Sequence, residues 1–190
     1  MQLSVEHLCK AYGGRPVLRD VSFSAGQGVT CVMAPSGAGK TTLLRILLGL
    51  ETADGGIIRG LEGARASAVF QEDRLLEHLT GPENLRFVLG PAYEAAAASV
   101  LLERLGLTEL GTKPVREYSG GMKRRLSLAR ALCMPFDLLV LDEPFTGLDG
   151  ENRRRAMDCI RAAAEGKTVL LVTHDAEDAS GLDARIITLQ

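Results

Sequence analysis

Lys40 stands near the end of the run Ala34-Pro35-Ser36-Gly37-Ala38-Gly39-Lys40-Thr41-Thr42, whose residue types are those that wrap a phosphate. Gly37 and Gly39 let successive backbone N–H groups face inward, and a helix starting here adds partial positive charge. In such a loop Lys40 would neutralise β- and γ-phosphates, the Thr41 hydroxyl is placed to bind Mg²⁺, and Thr42 can donate toward the α-phosphate. Later, the apolar run Leu138-Leu139-Val140-Leu141 ends in Asp142 and Glu143. Asp142 could hold Mg²⁺ through water, and Glu143 could polarise a water attacking the γ-phosphate. A solvated Asp-Glu-Pro turn would look the same in isolation; the phosphate loop upstream favours the chemical reading.

Three further features converge on that loop. Ser119-Gly120-Gly121 opens a run of helical spacing, and Ser is a good N-cap whose helix leaves free N–H groups for an anion. This chain already cradles phosphates elsewhere, so the natural user of the second anion site is nucleotide held by another copy. Gln71 follows an apolar strand signal, where a role in sensing Mg²⁺ or water is plausible although a lone Gln is usually a surface residue. His174, in Val172-Thr173-His174-Asp175, follows another strand signal, at the sheet edge that carries Lys40 and Asp142. Ligands bind at that edge in parallel α/β sheets.

The elements that must position these residues read as follows. Val5, His7 and Cys9 alternate with polar neighbours up to Tyr12, Gly13-Gly14 turns, and Val17, Val21 and Phe23 alternate again, which predicts an antiparallel pair. Val29 to Met33 is apolar without alternation, as in a strand buried on both faces. Thr41 to Leu50 carries Leu43, Leu44, Ile46, Leu47 and Leu50 at helical spacing, with Gly49 as a stop. Short strands are expected at Ile57-Ile58 and at 66–70, then helices over 83–89, 93–105 and 120–132. Strands return at 138–141, 168–172 and 185–189, with a helix over 151–165. The fold class is therefore α/β: a mostly parallel sheet with an antiparallel N-terminal β-subdomain and an inserted α-helical subdomain. Residues 1–71 and 136–190 form the core and 72–135 the helical insertion, together one domain.

Composition adds bounds. The 190 residues are 46% hydrophobic and 24% charged, ordinary for a globular protein. A net charge of −2 gives no general attraction to nucleic acid or anionic membranes. No apolar run is long enough to span a bilayer, and the N-terminus does not read as a signal peptide. The 4 cysteines lie outside metal-binding spacings and read as reduced thiols. Lys123-Arg124-Arg125 and Arg153-Arg154-Arg155 read as solvated helix faces with local ion pairs.

Taken together, these motifs resemble those of an ATP-binding cassette ATPase, the nucleotide-hydrolysing subunit of ABC transporters, over almost the whole chain and in family order. Tyr12 matches the aromatic residue that stacks on adenine. Gly37, Gly39, Lys40, Thr41 and Thr42 match the Walker A loop, with Ser36 and Ala38 inside it. Gln71 matches the Q-loop glutamine, and Ser119, Gly120 and Gly121 the signature motif, with Tyr118 for the usual Leu. Asp142 and Glu143 match the Walker B aspartate and catalytic glutamate, Thr146-Gly147-Leu148-Asp149 the D-loop, and His174 the switch histidine. One departure is Ala34, where the family pattern has Gly; the substitution is mild if that position does not need a positive φ. The loops Val69 to Leu76 and Ser119 to Arg125 are similar to importers of the nitrate, sulfonate and taurine type.

The resemblance implies a P-loop NTPase core, ATP and Mg²⁺ as cofactors, and hydrolysis to ADP and phosphate. Glu143, His174 and Gln71 would act in catalysis, with Thr41, Gln71 and Asp142 toward the metal. It also implies a head-to-tail dimer in which each ATP lies between Lys40 of one subunit and Ser119-Gly120-Gly121 of the other, with Asp149 nearby. Transmembrane permease subunits, and indirectly a solute-binding protein, are the expected partners. The expected location is cytoplasmic, at the inner face of the membrane. Family members commonly continue some tens of residues past the switch histidine, whereas this sequence stops soon after Ile186-Ile187-Thr188-Leu189, so no C-terminal regulatory domain is expected here. The rival reading is an ABC-class ATPase in cofactor assembly, repair or translation; those roles generally bring an inserted domain, a fused second cassette or a basic surface.

Overall fold

The computed structural model describes residues 1–35, 37–108 and 112–189. β1 (Leu3–Tyr12) and β2 (Arg15–Ala25) form the expected antiparallel pair, turning at Gly13 and Gly14. The inward-facing set differs from simple alternation: Leu3, Val5 and Leu8 are buried while His7 is exposed. The cause is a bulge. Val5 pairs with Phe23 and Leu8 with Val21, so β1 carries an extra residue, and His7 takes a left-handed φ of 53°. A bulge resets which side chains face inward. β2 then absorbs its own extra residue around Asp20, also at φ 53°, and the two irregular residues meet with His7 Nδ1 2.6 Å from Asp20 Oδ1.

β4 (Gly55–Arg59) adds to the other edge of β1, completing a three-stranded antiparallel sheet in the order β2-β1-β4. Only glycine fits at position 56: its φ is 99°, and a Cβ there would lie 2.6 Å from both the His7 carbonyl oxygen and Leu8 Cα.

β3 (Gly28–Met33), β6 (Leu138–Asp142) and β7 (Thr168–Val172) carry the buried parallel sheet, with β8 (Arg185–Thr188) at its edge. Within this unit the order is β6-β7-β3-β8, all parallel. Every residue of β6 and β7 is buried, which is why these segments read as unbroken apolar runs. α1 (Lys40–Leu47) buries Leu43, Leu44, Ile46 and Leu47, each worth about 1.5–3 kcal/mol when fully removed from water.

α1 stops before the expected Leu50. Gly49 at φ 69° lets its own N–H reach the Ile46 carbonyl, and the Leu50 N–H then donates to the Arg45 carbonyl at 2.8 Å. This Schellman pattern ends the helix and turns Leu50 outward. α6 (Ala176–Gly181) was not expected, being too short to show helical spacing; its start is capped by the Asp175 carboxylate, which accepts from the Glu177 N–H at 2.8 Å.

The chain divides into two compact units. One comprises Met1–Ala66, Phe136–Glu143 and the chain from Ala164 onward; the other comprises Ser67–Pro135 and Pro144–Ala163. β5 (Ala66–Val69) lies at the division. The second unit is helical: α2 (Gly81–Leu89), α3 (Ala95–Arg104), α4 (Gly120–Cys133) and α5 (Gly150–Ala163). α2 starts with a capping box between Thr80 and Glu83. The Tyr118 hydroxyl reaches the start of α2 and accepts from the Gly81 N–H at 3.2 Å.

One charge run corrects the sequence reading. Arg124 and Arg125 are 4% and 8% exposed, not solvated. Arg125 donates to the Leu105 and Gly106 carbonyls, both at 2.7 Å, and so caps the C-terminus of α3, where a cation is favoured. Arg124 binds backbone elsewhere in this unit, described below. Arg154 and Arg155 do face solvent, and Arg155 pairs with Glu151 one turn earlier.

Gly56→Ala should lower unfolding stability by about 1–3 kcal/mol or more, because it adds backbone strain to a clash with main-chain atoms. A urea-melt midpoint equal to wild type would show that the sheet can yield there.

Candidate active site

The site in the first unit is built at the C-terminal ends of β3, β6 and β7. Gly39 is the N-cap of α1 at φ 80°, and a Cβ there would lie 2.6 Å from Leu18 Cδ2 and 2.8 Å from the Val17 carbonyl oxygen. Gly37 is also left-handed, at φ 82°. Ala34 is buried and is not among the residues with positive φ, so its Cβ brings no backbone strain. Ser36 lies outside the described residues. Lys40 folds back over the loop: its Nζ donates to the Ala34 carbonyl at 2.7 Å and the Pro35 carbonyl at 3.2 Å. The ammonium is thus held at the mouth of the loop by neutral acceptors, which a more negative group can replace.

Thr41, in the first turn of α1, donates its hydroxyl to Asp142 Oδ2 at 3.4 Å. Asp142 is the last residue of β6 and only 4% exposed. A hydroxyl beside a nearly buried carboxylate is a donor set that suits a hard cation such as Mg²⁺, which takes one or two protein oxygens and completes its shell with water and phosphate. Among the described residues no group of three or more His, Cys, Asp or Glu forms a metal cage, and a phosphate-linked ion does not need one.

Glu143 follows at φ 50°, its N–H donating to the Val172 carbonyl at 2.9 Å. This left-handed kink turns the side chain out of the strand line toward β7. There Glu143 Oε1 lies 2.8 Å from His174 Nδ1. Thr173, fully buried between them in sequence, donates to Asp178 Oδ2 at 2.7 Å and accepts from the Asp175 N–H at 3.1 Å, which fixes the loop that carries His174. The Glu143 side chain is 16% exposed and that of His174 76%. The hydrogen bond to Glu143, followed by its charge, raises the His174 pKa above 6.5. The pair is therefore strongest below the ordinary His value and weakens as pH rises through the elevated one.

Tyr12 ends β1 and is 46% exposed. Lys10 stands 5.3 Å from the ring centroid and is itself tied to the Thr52 carbonyl at 2.7 Å and Asp54 at 3.1 Å. Lys10 was not singled out from sequence, although its spacing of two from Tyr12 along a strand places both on one face.

The other expected site residues belong to the second unit. Gln71 is exposed at a bend after β5. Ser119 is the N-cap of α4, its Oγ accepting from the Met122 N–H at 3.3 Å, and both Ser119 and Gly120 are exposed. At Gly121 a Cβ would approach the Gly147 carbonyl oxygen to 3.2 Å. Asp149 accepts from the Asn152 N–H at 2.9 Å and its amide at 2.7 Å, an N-cap arrangement at the start of α5. That capping role was not read from the sequence.

A glycine-shaped loop opening a helix, with lysine, hydroxyl and strand-end acid converging, defines a P-loop nucleotide-binding core. The comparisons with known proteins narrow the class. The family model described as ABC transporter matches residues 18–146. The aliphatic sulfonates import ATP-binding protein SsuB 2 of Pseudomonas syringae pv. tomato is 37% identical over 183 residues, spanning 95% of this chain and 78% of its own length. The Nod factor export ATP-binding protein I of Ralstonia nicotianae is 40% identical, spanning 95% of this chain and 61% of its own. A dimeric bacterial ABC transporter cassette superposes with a TM-score of 0.87 at 26% identity, covering 98% of this chain and 94% of that one. The chain belongs to the ABC transporter family; it is an ATP-binding subunit of that family and an ATPase.

Histidine NMR should show His174 titrating above the ordinary value, and Glu143→Gln should bring it back down. An unmoved His174 resonance in that variant would remove the pair from the ground state.

Proposed function

We propose that this chain is the motor subunit of an ABC importer, seated at the cytoplasmic face of a membrane on permease subunits and closing as a head-to-tail dimer around ATP. The observation that carries this reading is the convergence of Lys40, Thr41, Asp142, Glu143 and His174 at one sheet edge. Import rather than export follows the sulfonate-importer relatives, which the chain matches over most of their length. Among the described residues no helix is long and apolar enough to cross a membrane, so membrane contact is assigned to the permease. A solute-binding protein would deliver cargo to that permease.

In this reading Tyr12 stacks on adenine. The N–H groups of residues 37–42 wrap the phosphates, and Lys40 leaves the Ala34 and Pro35 carbonyls for the β- and γ-phosphate oxygens. Thr41, Asp142 and Gln71 would hold Mg²⁺, and the ion, when bound, would neutralise phosphate charge. Glu143 takes a proton from the attacking water as its oxygen bonds to the γ-phosphorus, and the bond from that phosphorus to the bridging oxygen breaks, releasing ADP. His174 orients Glu143 and the γ-phosphate. Ser119, Gly120 and Gly121 of a second copy cap the same phosphate with the free N–H groups of α4, and Asp149 lies along the dimer seam. The helical segment 72–135 transmits closure to the permease, and the whole of 1–190 acts as one ATPase domain.

Glu143→Gln should retain ATP binding while hydrolysis slows by at least ~10²-fold, as loss of a general base does. Light scattering of that variant with ATP should report dimers; persistent monomers in the presence of ATP and of the permease would sink the shared-site reading. Lys40→Ala should abolish nucleotide binding, and a retained micromolar affinity by calorimetry would contradict the loop assignment.

A further inference from the structure

Residues 71–79 follow β5 without a helix or strand of their own, so their backbone polar groups must find partners elsewhere. α4 supplies them. Arg124 Nη1 donates to the Phe70 carbonyl at 2.5 Å, to the Gln71 carbonyl at 3.3 Å and to Asp73 Oδ1 at 3.1 Å. Further along α4, Arg130 donates to the Arg74 carbonyl at 2.6 Å and the Asp73 carbonyl at 3.0 Å. Lys123 pairs with Glu77 at 2.6 Å. Arg74 within this segment is held at φ 48° with its guanidinium over the Phe70 ring, 4.3 Å from the centroid. A strained, irregular stretch is thus fastened to α4, and Arg124 holds its first residues.

We propose that Arg124 is a positioning residue for Gln71, fixing that glutamine relative to Ser119-Gly120-Gly121 so that the two features of the second unit move as one. The inference rests on the role given to Gln71 under Proposed function and goes beyond it. α4 begins at Gly120 with Ser119 as its cap, so a guanidinium one turn into the helix couples the cap to the backbone of Gln71. Arginine suits the task because its charged Nη1, with two N–H donors, serves two carbonyls and a carboxylate at once and stays charged when buried. The buried position explains why this charge is absent from the solvated face that the sequence pattern suggests. A misplacement of about 1 Å in a group that contacts the reacting centre is enough to cost rate severely.

The test is a double-mutant cycle on hydrolysis by the full chain, with Arg124→Met, Gln71→Ala and the pair, followed by Arg124→Lys. Arg124→Met should lower kcat about tenfold and raise the Mg²⁺ concentration for half-maximal rate, while KM for ATP stays within about twofold. Arg124→Lys, which keeps a charged N–H donor group on a shorter side chain, should recover part of both losses. The pair should be no worse than the poorer single variant, since both changes disable one group. A purely structural arginine would leave the Mg²⁺ dependence unmoved and would give losses that multiply, and either result overturns the proposal. A harmless Gln71→Ala overturns the role of Gln71 itself, whereas a damaging Gln71→Ala with multiplying losses overturns only the clamp. Should Arg124→Met fail to fold, Asp73→Asn removes the carboxylate that orients the guanidinium at a part-exposed position; the same non-additivity with Gln71→Ala is then required.

Discussion

The carboxylate of Asp142 is the constraint on which the site depends. A charge only 4% exposed at the end of a wholly buried strand is expensive unless it is paired. Its Oδ2 accepts from the Thr41 hydroxyl at 3.4 Å, which ties the end of β6 to the first turn of α1. That tie requires the loop before α1 to bring the helix close, and the loop does so only through glycine at 39, where β2 side chain and backbone leave no room for a Cβ. One buried acid therefore reaches, through one hydroxyl, into the geometry of the phosphate cradle.

The same economy of contacts appears at Glu143. Its left-handed backbone is the kind of strained conformation that persists only where surroundings hold it. The hold is visible: main chain to Val172, side chain to His174, and a buried Thr173 anchored on Asp178. The strain turns a strand residue sideways, so that two adjacent acids face different neighbours, Asp142 the Thr41 hydroxyl and Glu143 the His174 ring.

In the second unit, arginines do what regular secondary structure does elsewhere. Arg125 closes the C-terminus of α3 and Arg124 and Arg130 satisfy the irregular backbone after β5. Arg124 and Arg125 read in sequence as part of a solvated polar run. Their burial shows why a charge run on a helix cannot be assigned to solvent by composition alone: guanidinium groups can replace missing backbone donors.

The residue types and order along the chain were sufficient for the glycine loop, the strand-end acids, the Ser-Gly-Gly helix start and the alternation of strand and helix, because these depend on local chemistry and on apolar periodicity. The uniformly buried strands were legible since a segment buried on both faces has no polar positions to hide. What only the tertiary structure decided were features set by partners distant in sequence. The bulge at His7 depends on Asp20 and the facing strand, and the fastening of the segment after β5 on Arg124 and Arg130 of α4. The burial of Arg124 depends on carbonyls more than fifty residues upstream, the separation to Gln71 being 53. No window of sequence contains both a donor and the acceptor that reaches it from another element, so such contacts emerge only when the chain has folded.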